Sequence, residues 1–205
     1  MRITGKVYLL VTMLMAPALA QNHLADPAPA VTGPAYDLST GYSYLNMQIP
    51  GAGHVHLNGV DLSGSMALGP RWGATIDTSY LHTSGVLGIS HPAYMLNTQG
   101  GPEFYPFQHG STRILMRALI GAALVDGAAP GSGTQFFHGW LLHPSYALGT
   151  GFEHSLSEQL ALRINGDYLR TTFYNYTGAE RPQSNLRLTA SLVFHLKNRQ
   201  HGPGK

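Results

Sequence analysis

Two groups of residues have the types and spacing that chemistry would need. The first is Glu153-His154-Ser155 with the nearby Ser157 and Glu158, because an acid, a histidine and a serine can together activate a hydroxyl nucleophile. A triad needs mutual hydrogen bonds, whereas alternation along an extended chain points neighbouring side chains apart. The chain also contains no G-x-S-x-G, H-E-x-x-H or P-loop pattern. We therefore predict no catalytic residues and no enzyme.

Histidine forms the second group, with eleven residues in a chain that has no cysteine. His54 and His56 are two positions apart and would share one face of an extended strand. Others fall near predicted loops: His82, His91, His138 and His143. Scattered histidines without acidic or cysteine neighbours are typical of polar loops, so we predict no metal site and no cofactor.

The elements that would position these residues are strands. Over 159–172 and again over 185–196, apolar and polar residues alternate with a period of two, which is the period of a strand. Arg163, Asp167 and Arg187 all lie on the polar face. Both runs exceed the usual 5–6 residues of a soluble strand and match the roughly 9–11 residues that a tilted strand needs to cross a bilayer.

The same pattern recurs along the chain and predicts eight strands. Seven of them cover 35–46, 55–68, 71–81, 93–105, 112–125, 159–172 and 185–196. The remaining strand, sixth in order, ends near residue 153, and Pro144 blurs its start. A slip of phase at Asn58-Gly59 in the second strand predicts a β-bulge or an early kink.

The predicted connections alternate in length. Short ones fall at 69–70, 106–111 and 154–158, and longer ones at 47–54, 82–92, 126–135 and 173–184. Outer-membrane barrels have short periplasmic turns and longer external loops. Aromatic residues near the predicted strand ends would form interfacial girdles: Tyr42, Tyr44, Trp72, Tyr80, Tyr94, Phe104, Phe152, Phe173 and Tyr174. The fold class predicted is all-β, an eight-stranded antiparallel up-and-down transmembrane β-barrel.

The first twenty residues have the pattern of a secretory signal peptide. Arg2 and Lys6 precede an apolar run over 7–15, and Ala18-Leu19-Ala20 forms an A-x-A cleavage site. Without Arg2 and Lys6 the basic and acidic residues are equal in number, so we predict no nucleic-acid partner. The predicted organisation is a signal peptide at 1–20, a flexible segment at 21–34, the barrel at 35–196 and a polar tail at 197–205.

Three stretches carry a resemblance to a known family: His56–Ser63 with Leu68–Gly73 and Thr75–Asp77, then Asp167–Thr171, then Asn185–Phe194. In these, and over 35–196 as a whole, the chain resembles the small eight-stranded outer-membrane β-barrel proteins of bacteria, the OmpA-like superfamily. The resemblance implies a monomer in the outer membrane of a double-membraned bacterium. Its partners would be outer-membrane lipid, lipopolysaccharide and the barrel-assembly machinery. Members usually end at an aromatic residue that this machinery reads, and Phe194 matches, although Leu196 and the polar tail follow.

Charged residues on the predicted inward face would form a network inside the barrel. The acidic members are Asp37, Asp61, Asp77, Glu103, Glu153 and Asp167, and the basic members are Arg113, Arg117, Arg163 and Arg187. Side chains can just fill an eight-stranded barrel, and charges buried there must pair. We therefore predict a largely filled interior and a structural or surface-interaction role.

Two alternatives remain open from the sequence. A small porin-like channel for water or small polar solutes would use room left by small inward residues: Gly73, Gly121, Ala123, Gly149 and Gly151. A soluble periplasmic barrel of lipocalin type would have the two faces exchanged, with apolar residues inside. Strand length, loop asymmetry and inward residues that are small or charged favour the membrane orientation.

Overall fold

The computed structural model describes residues 36–49, 53–86, 90–127, 139–174 and 180–196. Its eight strands are β1 (Tyr36–Ile49), β2 (Gly53–Ala67), β3 (Trp72–Thr83), β4 (Ala93–His109), β5 (Thr112–Asp126), β6 (Leu141–Ser155), β7 (Leu160–Tyr174) and β8 (Glu180–Leu196). Each strand pairs antiparallel with its neighbours in sequence, and β1 pairs with β8, so the sheet closes on itself. The eight-stranded up-and-down barrel predicted from the sequence is confirmed.

The predicted signal peptide, the segment 21–34 and the tail 197–205 lie outside the described residues. Within those that are described, no helix is long and apolar enough to cross a membrane.

The two ends of the barrel differ in their connections. At one end, Tyr36 of β1 lies opposite Leu196 of β8, beside the turns at 68–71, 110–111 and 156–159. We call this the turn end. The loop end carries the connections at 50–52, 84–92, 127–140 and 175–179. Gly110, at φ 56°, adopts the left-handed conformation that a two-residue hairpin turn requires.

Several strands are longer than the sequence pattern predicts. The β1–β2 ladder continues to the pair Ile49–Gly53, so the predicted long connection at 47–54 is wrong. Met47 and Ile49 are buried inside the barrel, and this apolar burial favours extending the strands over a solvated loop. The connections predicted at 106–111 and 173–184 are likewise shortened, because β4 reaches His109 and β8 begins at Glu180.

The predicted bulge at Asn58-Gly59 is also wrong. The register of β2 with β1 and with β3 runs through these residues without a break. The slip in the pattern arises because the apolar face changes side, with Leu57 buried and Val60 62% exposed. Among the described strand pairs, the register shifts only in the β4–β5 ladder between Phe104 and Phe107, at Pro106, which has no backbone N–H to donate.

The interior changes chemistry along the barrel axis. Charged and hydroxyl side chains fill the turn end, whereas a cluster of buried apolar side chains fills the loop end: Leu45, Met47, Ile49, Val55, Leu57, Leu81, Val86, Ala93, Met95, Leu119, Ala123, Val125, Ala147 and Leu169. The outer wall reverses this polarity, since apolar residues surround the turn end, whereas the wall of the loop end is largely polar, with Trp140 and Leu142 as exposed exceptions. The predicted set of small or charged inward residues is therefore found at the turn end, where Leu115, Tyr105 and Val193 are buried beside it.

Candidate functional site

The ten charged residues predicted for the interior all point into the barrel, in its turn-end half. Eight of them are 0–3% exposed, and Asp37 and Arg113 lie nearer the mouth with side chains 13% and 25% exposed. Strand alternation places them there, because each occupies an inward position on its strand. The structure thus brings together residues that are up to 150 positions apart in sequence.

The deeper layer of the network is two arginines sharing two aspartates. Arg117 donates from Nε and Nη2 to the two carboxylate oxygens of Asp167, at 2.8 and 2.7 Å, and from Nη1 to Asp77 at 3.1 Å. Arg187 donates to Asp77 at 2.7 Å and to Asp167 at 3.0 Å. Each charge therefore has opposite charges on two sides, which is the geometry that offsets the cost of burying ions.

The second layer lies towards the turn-end mouth. Arg163 donates to Glu153 at 2.7 Å and has Glu103 at 3.9 Å. Arg113 lies 2.6 Å from both Glu153 and Asp37. These pairs link β1, β5, β6 and β7 across the barrel, so the mouth is bridged from side to side by ion pairs.

Asp61 is the least well paired member of the network. It is 2% exposed, its Oδ2 lies 4.0 Å from Arg187, and that oxygen has no hydrogen-bond partner among the described residues. The ten residues comprise six carboxylates and four guanidinium groups, so the network has more acid than base. Asp61 is where that imbalance falls.

Three polar side chains of the network were missed in the sequence. Tyr105 donates to Glu103 at 2.7 Å and packs its ring 5.0 Å from the Arg113 guanidinium. His195 contacts Asp37 at 2.7 Å, and Ser79 accepts from Arg187 at 3.3 Å. Each lies at an inward-facing position of its strand. The alternation of inward and outward positions is therefore the sequence signal that could have identified them.

Glycines on the inner wall make room for the charged side chains. A Cβ on Gly149 would collide with Oδ1 of Asp167, and a Cβ on Gly151 would collide with Oδ1 of Asn165. The predicted space for water at these two glycines is therefore already occupied by side chains. Close packing of this kind leaves an inward glycine no freedom to become larger.

A matched pair of glycine substitutions tests this packing. Gly149→Ala should destabilise the folded barrel by about 1–3 kcal/mol, because it displaces Asp167 from its two arginines. Gly64→Ala on the outer wall, where a Cβ meets nothing within 4 Å, should change stability by less than about 0.5 kcal/mol. Urea unfolding in lipid vesicles measures both, and equal values would contradict the packing argument.

A layer of neutral polar residues separates the ion pairs from the apolar cluster. Ser145 donates to Asn97 at 2.8 Å and accepts from Gln99 at 3.1 Å, so β4 and β6 are joined there. Asn97 and Gln99 in this layer, and Asn165 and Ser191 among the ion pairs, each keep one buried side-chain atom that has no partner among the described residues. Buried polar atoms of this kind are commonly satisfied by water.

The other candidate residues are not brought together. Glu153 points inward to the arginines, while His154 points outward and lies 3.2 Å from Thr112 Oγ1, so the acid and the histidine are on opposite sides of the wall. His82, His91 and His143 lie near the loop end, and His138 is outside the described residues. No three His, Cys, Asp or Glu side chains in the described part of the chain are placed to share a metal ion.

The outer wall of the turn-end half is a continuous apolar band bounded by aromatic rings. Towards the turn end these are Tyr36, Trp72, Phe104, Phe107, Phe152 and Phe194; towards the loop end they are Tyr42, Tyr44, Tyr80, Tyr94, Tyr146 and Tyr168. Phe173 and Tyr174 were also predicted for the girdles, but their side chains lie outside the part of the chain that the structure describes. The hydroxyl groups of Tyr42, Tyr44 and Tyr168 bond to Asn58, His56 and Ser184, each nearer the loop end. Such rings orient their polar tips towards the more polar side.

Comparison with known proteins shows similarity in structure only. No protein-family model matches the chain, and no curated protein matches its sequence. Neisserial surface protein A matches with a TM-score of 0.61 at 9% identity, covering 79% of this chain and 98% of the neighbour. Ail, the attachment invasion locus protein of Yersinia pestis, has a TM-score of 0.51 at 14% identity, with coverages of 79% and 98%. OprG of Pseudomonas aeruginosa has 0.50 at 9%, with coverages of 80% and 96%.

These neighbours are small barrels of bacterial outer membranes, the group that the sequence resembles. At such low identity the similarity concerns the fold. The chain therefore has the fold of the small eight-stranded outer-membrane β-barrels.

Proposed function

We propose that the protein is an integral outer-membrane barrel with a closed interior, which acts structurally or through surface interactions at its loop end. One observation carries this proposal: an apolar outer band bordered by aromatic rings surrounds the half of the barrel whose interior is bridged by ion pairs. In water such a band would be unfavourable, whereas lipid solvates it.

The dimensions of the band support a membrane position. On β3, Trp72 and Tyr80 bound an outward run whose centre is Ile76, 65% exposed. This run matches the roughly 9–11 residues of a tilted transmembrane strand. The turn end would then face the periplasm and the loop end the exterior, in contact with lipid and lipopolysaccharide.

Phe194 has the position expected of an assembly signal. It is 40% exposed on the outer wall of β8, next to the end of the strand. The barrel-assembly machinery would recognise Phe194 at this position. The assembled barrel would be a monomer in the membrane.

The lipocalin-like alternative has the opposite polarity over the turn-end half. It requires an apolar interior within a polar wall, an arrangement that only the loop end has. There the apolar side chains are 0–4% exposed and pack against one another, which fills the space that a ligand cup would need.

A narrow polar channel is the second candidate function. It is favoured by the buried polar atoms without protein partners on Asn97, Gln99, Asn165 and Ser191, since water satisfying them would form a hydrated zone. Asn97 and Gln99 lie on the loop-end side of the ion pairs, whereas Asn165 and Ser191 lie among them, with Ser191 opposite Arg163. Conductance across a bilayer distinguishes the two functions, because a filled barrel passes no ions.

Fractionation and conductance test the proposal together. The protein should appear in the outer-membrane fraction and change mobility on a detergent gel after boiling, because a closed barrel resists detergent until heated. In planar bilayers it should give no conductance steps. The double variant Arg117→Ser/Asp167→Ser removes one inward pair without changing net charge and should conduct.

The heat-dependent shift serves as the control that each inserted protein is folded. Steps of equal size from the unaltered protein and the double variant would reject the closed interior in favour of the channel. A soluble periplasmic protein with no shift would reject the membrane position altogether.

A further inference from the structure

Two histidines stand side by side on the outer wall at the loop end. His54 and His56 both point outward from β2 and are exposed. One residue separates them, so their Cα atoms are about 6.6–6.8 Å apart along the strand. Imidazole nitrogen is a preferred ligand of copper, zinc and nickel ions, and two on one face can bind the same ion.

Strand β1 orients both rings. Nδ1 of His54 lies 3.0 Å from Oδ1 of Asn46, and Nδ1 of His56 lies 2.7 Å from the hydroxyl of Tyr44. Asn46 is the residue directly opposite His56 in the β1–β2 ladder. The bond from His54 to Asn46 therefore draws the His54 ring along the wall towards His56.

These hydrogen bonds also select the nitrogen that is available. An amide oxygen only accepts, so Nδ1 of His54 carries the proton and donates, leaving the lone pair on Nε2. The Tyr44 hydroxyl can accept a hydrogen bond from Nδ1 of His56 in the same way. The Tyr44 ring also stacks on the His56 ring, with 5.9 Å between the ring centroids. Metal-binding histidines in proteins typically have their second nitrogen held in this manner.

Although the sequence predicted no metal site, we propose from this geometry that His54 and His56 form a two-nitrogen binding site for a divalent transition metal ion on the outer wall of the barrel. Cu²⁺ should bind most tightly, followed by Ni²⁺ and Zn²⁺ in the usual order for nitrogen ligands. Mg²⁺ and Ca²⁺ prefer oxygen and should not bind. No third His, Cys, Asp or Glu of the described chain joins the pair, so the other coordination positions are open to water or an external ligand.

Titration of the purified protein with Cu²⁺ alone tests the site. The parent protein and all variants carry the substitution His23→Ala. This removes the histidine nearest the predicted cleavage site, which would otherwise offer Cu²⁺ another nitrogen ligand. We expect one Cu²⁺ per barrel, with an electron paramagnetic resonance spectrum that shows nitrogen ligation. His54→Ala or His56→Ala should weaken binding at least tenfold. Asn46→Ala keeps both ligands but frees one ring, and should weaken binding about tenfold.

His154→Ala is the matched control, because His154 is also exposed on the outer wall with its Nδ1 hydrogen-bonded, but alone and at the turn end. It should leave the affinity unchanged. Each variant must first show the heat-dependent shift of a folded barrel. Two results would overturn the proposal. One is copper binding by the double variant His54→Ala/His56→Ala that equals binding by the parent. The other is a loss of copper affinity in His154→Ala as large as the loss in His54→Ala or His56→Ala.

Discussion

Replacing Asp167 by alanine should destabilise the barrel by about 3–5 kcal/mol. Asp167 is fully buried and accepts hydrogen bonds from both Arg117 and Arg187. Its removal leaves Arg117 and Arg187 sharing one hydrogen-bonded carboxylate, Asp77, while Asp61 stays 4.0 Å from Arg187 without a hydrogen bond. Breaking a buried ion-pair network by removing one partner is strongly unfavourable. Equilibrium unfolding by urea in lipid vesicles measures the loss.

A second substitution separates charge imbalance from a simple packing defect. Asp167→Ala/Arg187→Met removes one charge of each sign and should be less destabilising than the sum of its two single substitutions. Arg170→Gln, on the outer wall of the same strand, is the control and should change stability by less than about 0.5 kcal/mol. A loss below about 1 kcal/mol for Asp167→Ala would show that the network does not hold the barrel together.

Placing arginine at Ile76 should cost about 2–4 kcal/mol in a phospholipid bilayer. Ile76 is 65% exposed on the outer wall, midway between the aromatic residues Trp72 and Tyr80 of the same strand. If the apolar band lies in hydrocarbon, the new charge falls near the bilayer midplane, where its hydration is lost. The free energy of unfolding measured in lipid vesicles gives the cost.

His82→Arg provides the comparison at another depth. His82 points outward from the same strand, beyond Tyr80 towards the loop end, and should tolerate arginine at a cost of about 0–1 kcal/mol. The difference between the two positions is the informative quantity. Equal costs would mean that depth along β3 does not matter, and would contradict the proposed membrane position.

Strand number and the facing of the charged residues were predictable from the sequence, because alternation is a local property. In β7 and β8 the period of two placed Arg163, Asp167 and Arg187 on one face, and the structure places all three inside. The same reasoning failed at Met47, which was predicted to lie in a connection, and at Leu57, next to the predicted bulge, because the structure buries both inside the loop end. A pattern can show that two faces differ, but which face is inside depends on whether lipid or water surrounds the wall at that height.

Partner choice within the network was decided only by the tertiary structure. Arg187 is 110 residues from Asp77 in sequence, and their 2.7 Å contact follows from barrel closure and strand register, which no local pattern contains. The role of Gly149 likewise depends on Asp167 reaching across to it from the next strand. By itself the sequence determined a chain of eight alternating strands with ten charges on one face. The closed fold decided which charges meet, because long-range pairing depends on register and not on the residues alone.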